Sequence, residues 1–534
     1  MGRPGARLQL TAGFDYTGLK PDGSGYLSTV LFTRIIDTSV AVSATRSRKA
    51  KIDALQTLLA ELDTTDIDTV VSWLSGELPQ GRIGVGWRTL ADIDVAPAPV
   101  GTLTIAEVDG AISAVATTSG SGSAARRREL LVELLAAATA DERRFLVRLL
   151  TGELRQGALE GIMTDAIAKA AGLELALVRR AFMLSGTLSA TATAALTGGA
   201  EALSQFGLEV GRPFRPMLAS PAETLEAAWT ELDGDVSVEY KLDGARIQVH
   251  RSGEDVHVYT RTLREITDGV PELVELIRGL PCTSVVLDGE TLALTDSGRP
   301  RPFQETMSRF GAQSTHELLL SPYFFDCIHL DGVDLLDEPL RTRLDALERV
   351  APGHRIPALL RPDAAAAAAH FDDALGAGHE GVMIKSLSSS YAAGRRGRTW
   401  QKVKPEHTLD LVVLAAEWGY GRRTGWLSNL HLGARDPDGG TPIMVGKTFK
   451  GLTDALLQWQ TDEFPQHERS RDEHTVYLNP DLVVEIELDG AQVSSRYPGG
   501  VALRFARVLR YRPDKTAAEA DTIDAVRSLL LPST

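Results

Sequence analysis

Cysteine is almost missing from this 534-residue chain: only Cys282 and Cys327 occur, far apart and without His or Cys neighbours at zinc spacing. That scarcity excludes a disulfide framework and a cysteine-built structural metal module, and it fits a reducing cytoplasm. Long apolar runs are missing too, none reaching the roughly 20 residues that a membrane-spanning helix needs. Met1 to Tyr26 is rich in Gly and polar residues and lacks the apolar segment of a secretory signal, so it reads as a flexible tail. Positive charge is in deficit, with 56 Lys and Arg against 71 Asp and Glu and a formal charge of −15. Such a balance argues against a protein that coats nucleic acid without specificity. The histidines form no His-Glu-x-x-His pair and there is no Gly-x-Ser-x-Gly elbow, which removes two common hydrolase readings.

The composition that remains is ordinary for a globular chain, 43% hydrophobic and 24% charged, and long enough for two to four domains. Basic groups concentrate at Arg126 to Arg128, Arg395 to Lys404, Arg422 with Arg423, and Arg504 to Lys515. Each is a candidate phosphate-binding strip, although Arg126 to Arg128 reads equally well as a solvated face. From Leu31 to about Phe206 apolar residues recur at three- and four-residue spacing, as in Ile52, Leu55, Leu58, Leu59 and Leu62, and again Leu130, Leu131, Leu134 and Leu135. This predicts helices, broken by loops at Ala96 to Val100 and Thr117 to Ser123. Leu-Ser-Gly-Glu-Leu-Pro-Gln-Gly (Leu74 to Gly81) is echoed by Leu-Thr-Gly-Glu-Leu-Arg-Gln-Gly (Leu150 to Gly157), which suggests a duplicated helical unit. Two copies are too few for a solenoid, so a compact pseudo-symmetric domain is expected.

After Gly207 strands alternate, as in Val236, Val238 and Tyr240, with Ser252-Gly253 marking a turn. Helices at Pro339 to Val350 and Ala364 to Leu375 interleave with strands at Val285 to Leu287, Tyr323 to Ile328 and Val382 to Lys385, an α+β pattern. From Leu409 to Arg510 the strands are short and separated by turns, which fits a small β-barrel. The boundary is placed near Pro405 to Thr408.

The stretch Glu239-Tyr240-Lys241-Leu242-Asp243-Gly244-Ala245-Arg246 puts a lysine at a strand end before an Asp-Gly turn, where backbone can come close to a ligand. A lysine amine attacks phosphorus only when unprotonated, a form that nearby cations favour. Lys402 and Lys404 alternate along Trp400 to Lys404 and supply such cations. Phosphoryl transfer needs a metal, and Mg²⁺ is held by one or two carboxylates with waters. Glu290, ending Val285 to Glu290, and Glu380, opening Glu380 to Lys385, are the two candidates, each beside a Gly. Phe325 offers an aromatic face for a base, or is plain core. Gly446-Lys447-Thr448 imitates the end of a P-loop, but Gly440 precedes Gly446 by one position too many and Pro442 intervenes. A hairpin turning at Asp436 to Gly440 is expected instead.

Taken in order, these segments resemble the ATP-dependent DNA ligases of the covalent nucleotidyltransferase superfamily. Lys241 to Arg246 is similar to the family's motif I, Arg261 to the arginine of motif Ia, Asp288-Gly289-Glu290 to motif III, and Phe324-Phe325-Asp326 to motif IIIa. Glu380 to Lys385 resembles motif IV, Trp400 to Lys404 motif V, and Arg504 to Lys515 motif VI. Ala506 stands where motif VI commonly has proline, and Leu263 where motif Ia often has a polar residue.

The resemblance implies a multidomain α+β protein. Its parts would be a tail (1–26), an all-α DNA-binding domain (27–206), a central α+β nucleotidyltransferase domain of ATP-grasp-like ligase type (207–407) and a C-terminal OB-fold β-barrel (408–534). It also implies that Lys241 is adenylated, that Glu239 contacts the adenine amino group and that Phe325 stacks on the base. Arg246 and Arg261 would touch sugar or phosphates, Glu290 the ribose or metal, and Glu380 the metal. Lys385, Lys402 and Lys404 would grip the α-phosphate, Arg396 would lie near the 5′ phosphate, and Arg504, Arg507, Arg510 and Lys515 would orient pyrophosphate. ATP and Mg²⁺, for which Mn²⁺ can substitute, are the implied cofactors. Nicked double-stranded DNA is the implied partner of a cytoplasmic, nucleoid-associated monomer. Gly81 to Gly86 and Gly157 to Gly161 are candidate phosphate-binding turns. The rival readings are an RNA-capping guanylyltransferase, an RNA ligase, or a non-catalytic DNA clamp. The long helical part before Lys241 resembles the DNA ligase family's DNA-binding domain and separates the first two from it. Intact Lys241, Glu290, Glu380, Lys402 and Lys404 argue against the clamp.

Overall fold

Short polar side chains start several of the helices that fill the first part of the chain. In the computed structural model Ser47, Thr104 and Thr139 each accept a backbone N–H three residues on, and Glu107 and Glu142 reach back to close capping boxes. These contacts satisfy donors that a helix start otherwise leaves unpaired. The structure describes residues 31–81, 83–154, 160–301, 305, 306, 309, 319–392, 396–420 and 423–530, the side chains of 396 and 397 excepted. The expected tail, 1–26, lies outside them.

The chain divides into two units, Met1–Gly172 and Leu173–Thr534. Helices of the first unit run Phe32–Ala44, Arg48–Glu61, Ile67–Leu74, Trp87–Ala91, Ile105–Thr117, Ser123–Ala137, Ala140–Leu150 and Glu160–Ala171. The helical spacing seen in the sequence puts Leu55, Leu58, Leu59, Leu131, Leu134 and Leu135 in the core. Phe32 packs edge-on against Trp73 and Phe145, at centroid distances of 5.7 and 5.8 Å. The duplicated stretches end two of these helices in the same way. Gly76 and Gly152 take positive φ of 83° and 70°, while Glu77 N–H reaches back to the Ser72 carbonyl and Glu153 N–H to that of Arg148. This is the closure of a glycine-capped helix end. A Cβ on Gly76 would stand 3.1 Å from the Leu154 carbonyl oxygen, so the two copies lie side by side.

The second unit opens with helices Leu175–Ser185 and Leu188–Ser204, the first burying Met183 and Leu184 against Phe214 and Met217. Two five-stranded sheets follow. The first has the spatial order Leu218–Pro221, Arg396–Val403, Val382–Ser386, Val236–Tyr240, Ala358–Leu360. The second has the order Asp255–Thr260, Ala245–Ser252, Ser284–Ala293, Leu320–Leu330, Val333–Asp334. Helices Leu225–Glu231 and Ala364–Gly376 cover the first sheet, burying Ala228, Ala367 and Ala374 against Val238 and Ile384. Pro271–Arg278 and Leu340–Val350 cover the second, burying Leu273 and Leu344 against Ile247 and Leu287. A further apolar cluster that includes Leu242, Phe325, Tyr391 and Trp400 joins residues of both sheets. Because successive side chains of a strand alternate, Val382 and Ile384 face the helices while Met383 and Lys385 face the other way.

The remainder is a β domain. Its long strand His407–Trp418 pairs with Val483–Leu488 along its first half and with Leu427–Ala434 and Thr475–Leu478 along its second. That change of partner wraps the sheet around a core containing Leu411, Val413, Leu430, Val445, Phe464 and Ile486. Leu427–Ala434 and Ile443–Thr448 form the hairpin expected in place of a P-loop, with Gly439 at φ 81° and its N–H on the Asp436 carbonyl. N-terminal helices, a central α+β part and a C-terminal β domain thus follow one another as the sequence led us to expect. Among the described residues no helix is long and apolar enough to cross a membrane.

Candidate active site

Lys241 follows the strand Val236–Tyr240, and the turn after it needs glycine. A Cβ on Gly244 would stand 2.5 Å from the Thr291 carbonyl oxygen and 2.9 Å from Glu290 Cγ. Two backbone hydrogen bonds tie this turn to the segment Glu380–Gly381: Lys241 N–H to the Gly381 carbonyl at 2.8 Å, and Glu380 N–H to the Lys241 carbonyl at 3.0 Å. Gly381 has φ 137°, and a Cβ there would run into the Val403 carbonyl oxygen and stand 3.1 Å from Lys404 Cα. Three segments distant in sequence therefore meet with no side chain between them.

Their charged groups converge at this crossing. Lys241 Nζ donates to Glu380, which also pairs with Lys404 at 3.0 Å. Arg504 of the β domain donates to Asp243 at 2.7 and 3.2 Å and to Glu380 at 3.3 Å. Lys404 reaches Asp489 at 2.8 Å. Asp489 and Arg504 close the open end of one hairpin, Gly490–Val493 with Val501–Arg504, where Asp489 N–H donates to the Arg504 carbonyl at 3.0 Å. Burial alone would raise the Glu380 carboxyl, but Lys241 and Lys404 outweigh it and bring it down to about 2. Asp243 moves the other way, because burial outweighs its hydrogen bond to Arg504. Lys402 is lowered by burial first and then by the cations Lys404 and Lys241. A knot of Lys241, Lys402, Lys404 and Arg504 against three carboxylates suits a ligand that brings its own negative charge.

Glu290 is half-buried beside this knot, and that burial raises its carboxyl to about 7 against the pull of Arg246 and Lys241. Arg246 itself is built into the wall. Its Nε and Nη2 donate to Asp288 at 3.0 and 2.6 Å and its Nη1 to the Met217 carbonyl at 2.7 Å. Tyr391 completes the network, donating to Asp288 at 2.6 Å and accepting the Met217 N–H at 3.0 Å. The guanidinium lies 5.4 Å from the Phe325 ring centroid.

Farther along the same sheet Glu239 and Lys385, each 1% exposed, form an ion pair at 2.5 Å. The Ser237 hydroxyl donates to the same carboxylate at 3.0 Å, and the Lys385 ammonium lies 4.2 Å from the ring centroids of both Phe325 and Trp400. Lys385 thus keeps company with Glu239 and not with the Lys241–Glu380 knot. Strand geometry explains this, since it stands three residues, roughly 10 Å, beyond Val382.

Other candidates are not gathered here. Arg261 is exposed in the turn after Asp255–Thr260, and Arg507 is exposed on the β domain. Arg510 donates to Glu485 at 2.7 Å and Lys515 to Asp410 at 2.5 Å, both within the β domain. The side chain of Arg396 and the whole of Gly157 lie outside the described residues. Among the described residues no group of three or more His, Cys, Asp or Glu could hold a metal ion by itself. Sequence reasoning assigned no role to Asp243, Asp288, Tyr391, Met217 or Asp489. The first two stood inside quoted motifs, and Asp489-Gly490 repeats the Asp-Gly form beside a strand, a signal that could have found it. Tyr391 and Met217 carried no such mark.

Three family descriptions match the chain: DNA ligase N terminus at residues 93–168, ATP dependent DNA ligase domain at 216–404, and ATP dependent DNA ligase C terminal region at 423–515. A protein of Rhodococcus jostii (strain RHA1) named probable DNA ligase is 77% identical over 501 residues, 94% of this chain and 100% of its own. Another of that name from Saccharopolyspora erythraea is 71% identical over 503 residues, 94% of this chain and 98% of its own. A solved structure described as Pmar-Lig_PreS3 is 17% identical, covers 90% of this chain and 99% of its own with a TM-score of 0.60, and so shares the fold.

Proposed function

The chain belongs to the ATP-dependent DNA ligases, and from that premise we propose that Lys241 carries AMP from ATP to the 5′ phosphate of a nick in duplex DNA. The observation that carries this reading is the contact of Lys241 with Glu380 inside a knot of Lys404, Lys402 and Arg504. In the first step the Lys241 nitrogen bonds to the α-phosphorus, the bond to the β-phosphate breaks, pyrophosphate leaves and the amine loses a proton. The AMP then passes to the 5′ phosphate oxygen with release of the lysine, and finally the 3′ hydroxyl displaces AMP. Positioning and charge neutralisation carry most of the rate.

Lys402 and Lys404 hold the α-phosphate in this reading, Phe325 stacks on the base, and Glu239 accepts from its amino group. Arg246 orders the wall behind the sugar, with Arg261 on the phosphate side and Arg396 at the 5′ phosphate. Arg504, aided by Arg507, Arg510 and Lys515, orients pyrophosphate. Glu290 and Glu380 would hold Mg²⁺ or Mn²⁺, because a cation beside Glu290 would offset the burial that raises its carboxyl. When bound, such an ion neutralises phosphate charge.

A hinge near Lys404 to Asp410 lets the β domain withdraw so that DNA can enter. The helices before Phe206 grip the duplex, with turns at Gly81 to Gly86 and Gly157 to Gly161 offering N–H groups to phosphates. A division at 206/207 and 407/408, a monomer, and work on nucleoid DNA in the cytoplasm complete the proposal. An RNA ligase or capping enzyme is not favoured, since residues 93–168 match the DNA ligase N terminus. The test is incubation with α-labelled ATP and Mg²⁺, with and without Lys241→Ala, followed by a chase with nicked duplex. Label that joins the native chain, is absent from the variant and is discharged on sealing is the expected result; label that persists in Lys241→Ala would sink it.

A further inference from the structure

We infer that Leu263 is a positioning residue: a peg seated on the helix end at Gly186 that holds the turn carrying Arg261 and so aims that guanidinium at a phosphate. The inference rests on the adenylation reading above and names what fixes Arg261, which stands outside the Lys241 knot.

The backbone at Leu263 is strained. Among the described residues five other than glycine have positive φ, and Leu263, at 65°, is the one aliphatic among them. Asn and Asp enter that region at less cost, whereas a bulky residue there is a true outlier. Such a conformation persists only where its surroundings over-determine it, and it clusters at functional sites. Here the surroundings include a closed turn. Leu263 N–H donates to the Thr260 carbonyl and Thr260 N–H to the Arg264 carbonyl, both at 2.9 Å. Of Arg261 to Glu265 only Leu263 is half-buried, and the others are exposed.

Its side chain meets a braced seat. A Cβ on Gly186 would stand 3.2 Å from Leu263 Cδ1, so the leucine rests on the bare backbone of that glycine. Gly186, at φ 77°, ends the helix Leu175–Ser185, and its N–H donates to the Phe182 carbonyl at 3.1 Å. Its carbonyl accepts Arg215 Nε at 2.8 Å, and Arg215 N–H donates to the Met183 carbonyl at 2.9 Å. The same helix end buries Phe182, Met183 and Leu184. A polar side chain at position 263 would relieve the backbone but could make no apolar contact with this seat.

Register places the turn beside the site. Thr260 comes level with Ile247, the residue after Arg246, and Arg246 stands opposite Glu290. The turn thus leaves the edge strand at the same end of the sheet as those two residues. Arg261 and Leu263 share one closed turn, so seating the leucine fixes the root of the arginine. An exposed guanidinium at this place suits a phosphate, whose oxygens match its fork of donors. That phosphate is supplied by ATP or by DNA, and two assays separate the sources: labelling by ATP, and sealing of a nick that is already adenylated.

Both assays are run on the full chain as native protein, R261A, L263G, L263M and R261A/L263G, with melting points alongside. R261A identifies the assay in which the arginine serves. In that assay L263G should show most of the R261A loss, roughly ten- to a hundredfold, and the double variant should lose no more than R261A alone. L263M, which keeps an apolar peg, should retain most of the native rate. L263G should melt near the native protein, since glycine relieves the strained φ as it gives up the contact. Losses that multiply in the double variant would overturn the inference. So would L263G at native rates in both assays, R261A without effect in either, or an L263G loss shared equally by both assays when R261A affects one. If L263G does not fold, L263A, which trims the peg and keeps the strain, decides the point by the same comparison. A native chain that takes no label from ATP would sink the adenylation reading and the inference with it; every other failure named here leaves that reading standing.

Discussion

Replacing Gly381 by alanine tests whether the crossing of three segments is what assembles the site. The backbone there has φ 137°, a region that L residues enter at a cost of roughly 1–3 kcal/mol. The added Cβ would also overlap the Val403 carbonyl oxygen and stand 3.1 Å from Lys404 Cα, so the strand bearing Lys402 and Lys404 must give way. Overpacking of that kind adds about 1–3 kcal/mol, for a total of roughly 2–6 kcal/mol. Gly439→Ala serves as the control, because it too has positive φ, 81°, but nothing lies within 4 Å of its Cβ; only the first cost applies. With roughly 2–4 °C per kcal/mol for a body of 150–250 residues, Gly381→Ala should lower the melting point on the order of 10 °C and well beyond the control. Because a misplacement of about 1 Å can cost roughly a hundredfold in rate, labelling by ATP should fall about that far in the folded variant. The reasoning is refuted if Gly381→Ala melts with Gly439→Ala and labels at the native rate.

Arg504→Ala removes the cation shared by Asp243 and Glu380. It should slow lysyl-AMP formation about 10²- to 10³-fold yet change sealing of a pre-adenylated nick less than about tenfold; equal losses in both assays would contradict this. Asp288→Asn leaves the Arg246 guanidinium buried without its carboxylate, a change worth about 3–5 kcal/mol that a denaturant midpoint will read. For Glu290 the folded state holds its proton more tightly than the unfolded chain, so its contribution to stability is present at low pH and is lost as pH rises from about 4.5 to about 7. Glu290→Gln should flatten the urea midpoint across that window in nucleotide-free protein, and an unchanged slope would dismiss the assignment. Glu380, held down to about 2, works in the opposite sense and only as pH falls below about 4.5.

What could be read from the sequence was local. Leu55, Leu58 and Leu59 announced a buried helix face by spacing alone, and Asp436 to Gly440 announced a turn by composition, enough to dismiss the P-loop imitation before any coordinates. Motif order brought Lys241, Glu290, Glu380, Lys402 and Lys404 to attention. Partner choice was less accessible. Arg246 meets Asp288 across 42 residues through the pairing of their strands, and Tyr391 meets Met217 across 174, contacts that no window of sequence contains. The same holds for Lys385, whose neighbours follow from which rows of two strands come level. Nor did the sequence foretell that Arg510 and Lys515 would spend their charge on Glu485 and Asp410 inside their own domain.

Asp489 and Arg504 travel on one hairpin, and its open end is in effect a zwitterion. Its contact with Lys404 and Glu380 brings one charge of each sign, so the net charge of the knot would be the same with the hairpin docked or withdrawn. Ionic strength should therefore have little leverage on docking, in contrast to its strong effect on a cationic lid. A phosphate that arrives at Lys404 competes with Asp489 for the same ammonium while offering Arg504 a new anion. Nucleotide entry would thus loosen one corner of the hairpin as it tightens the other, which converts binding into a turn about Arg504 in place of a simple lift.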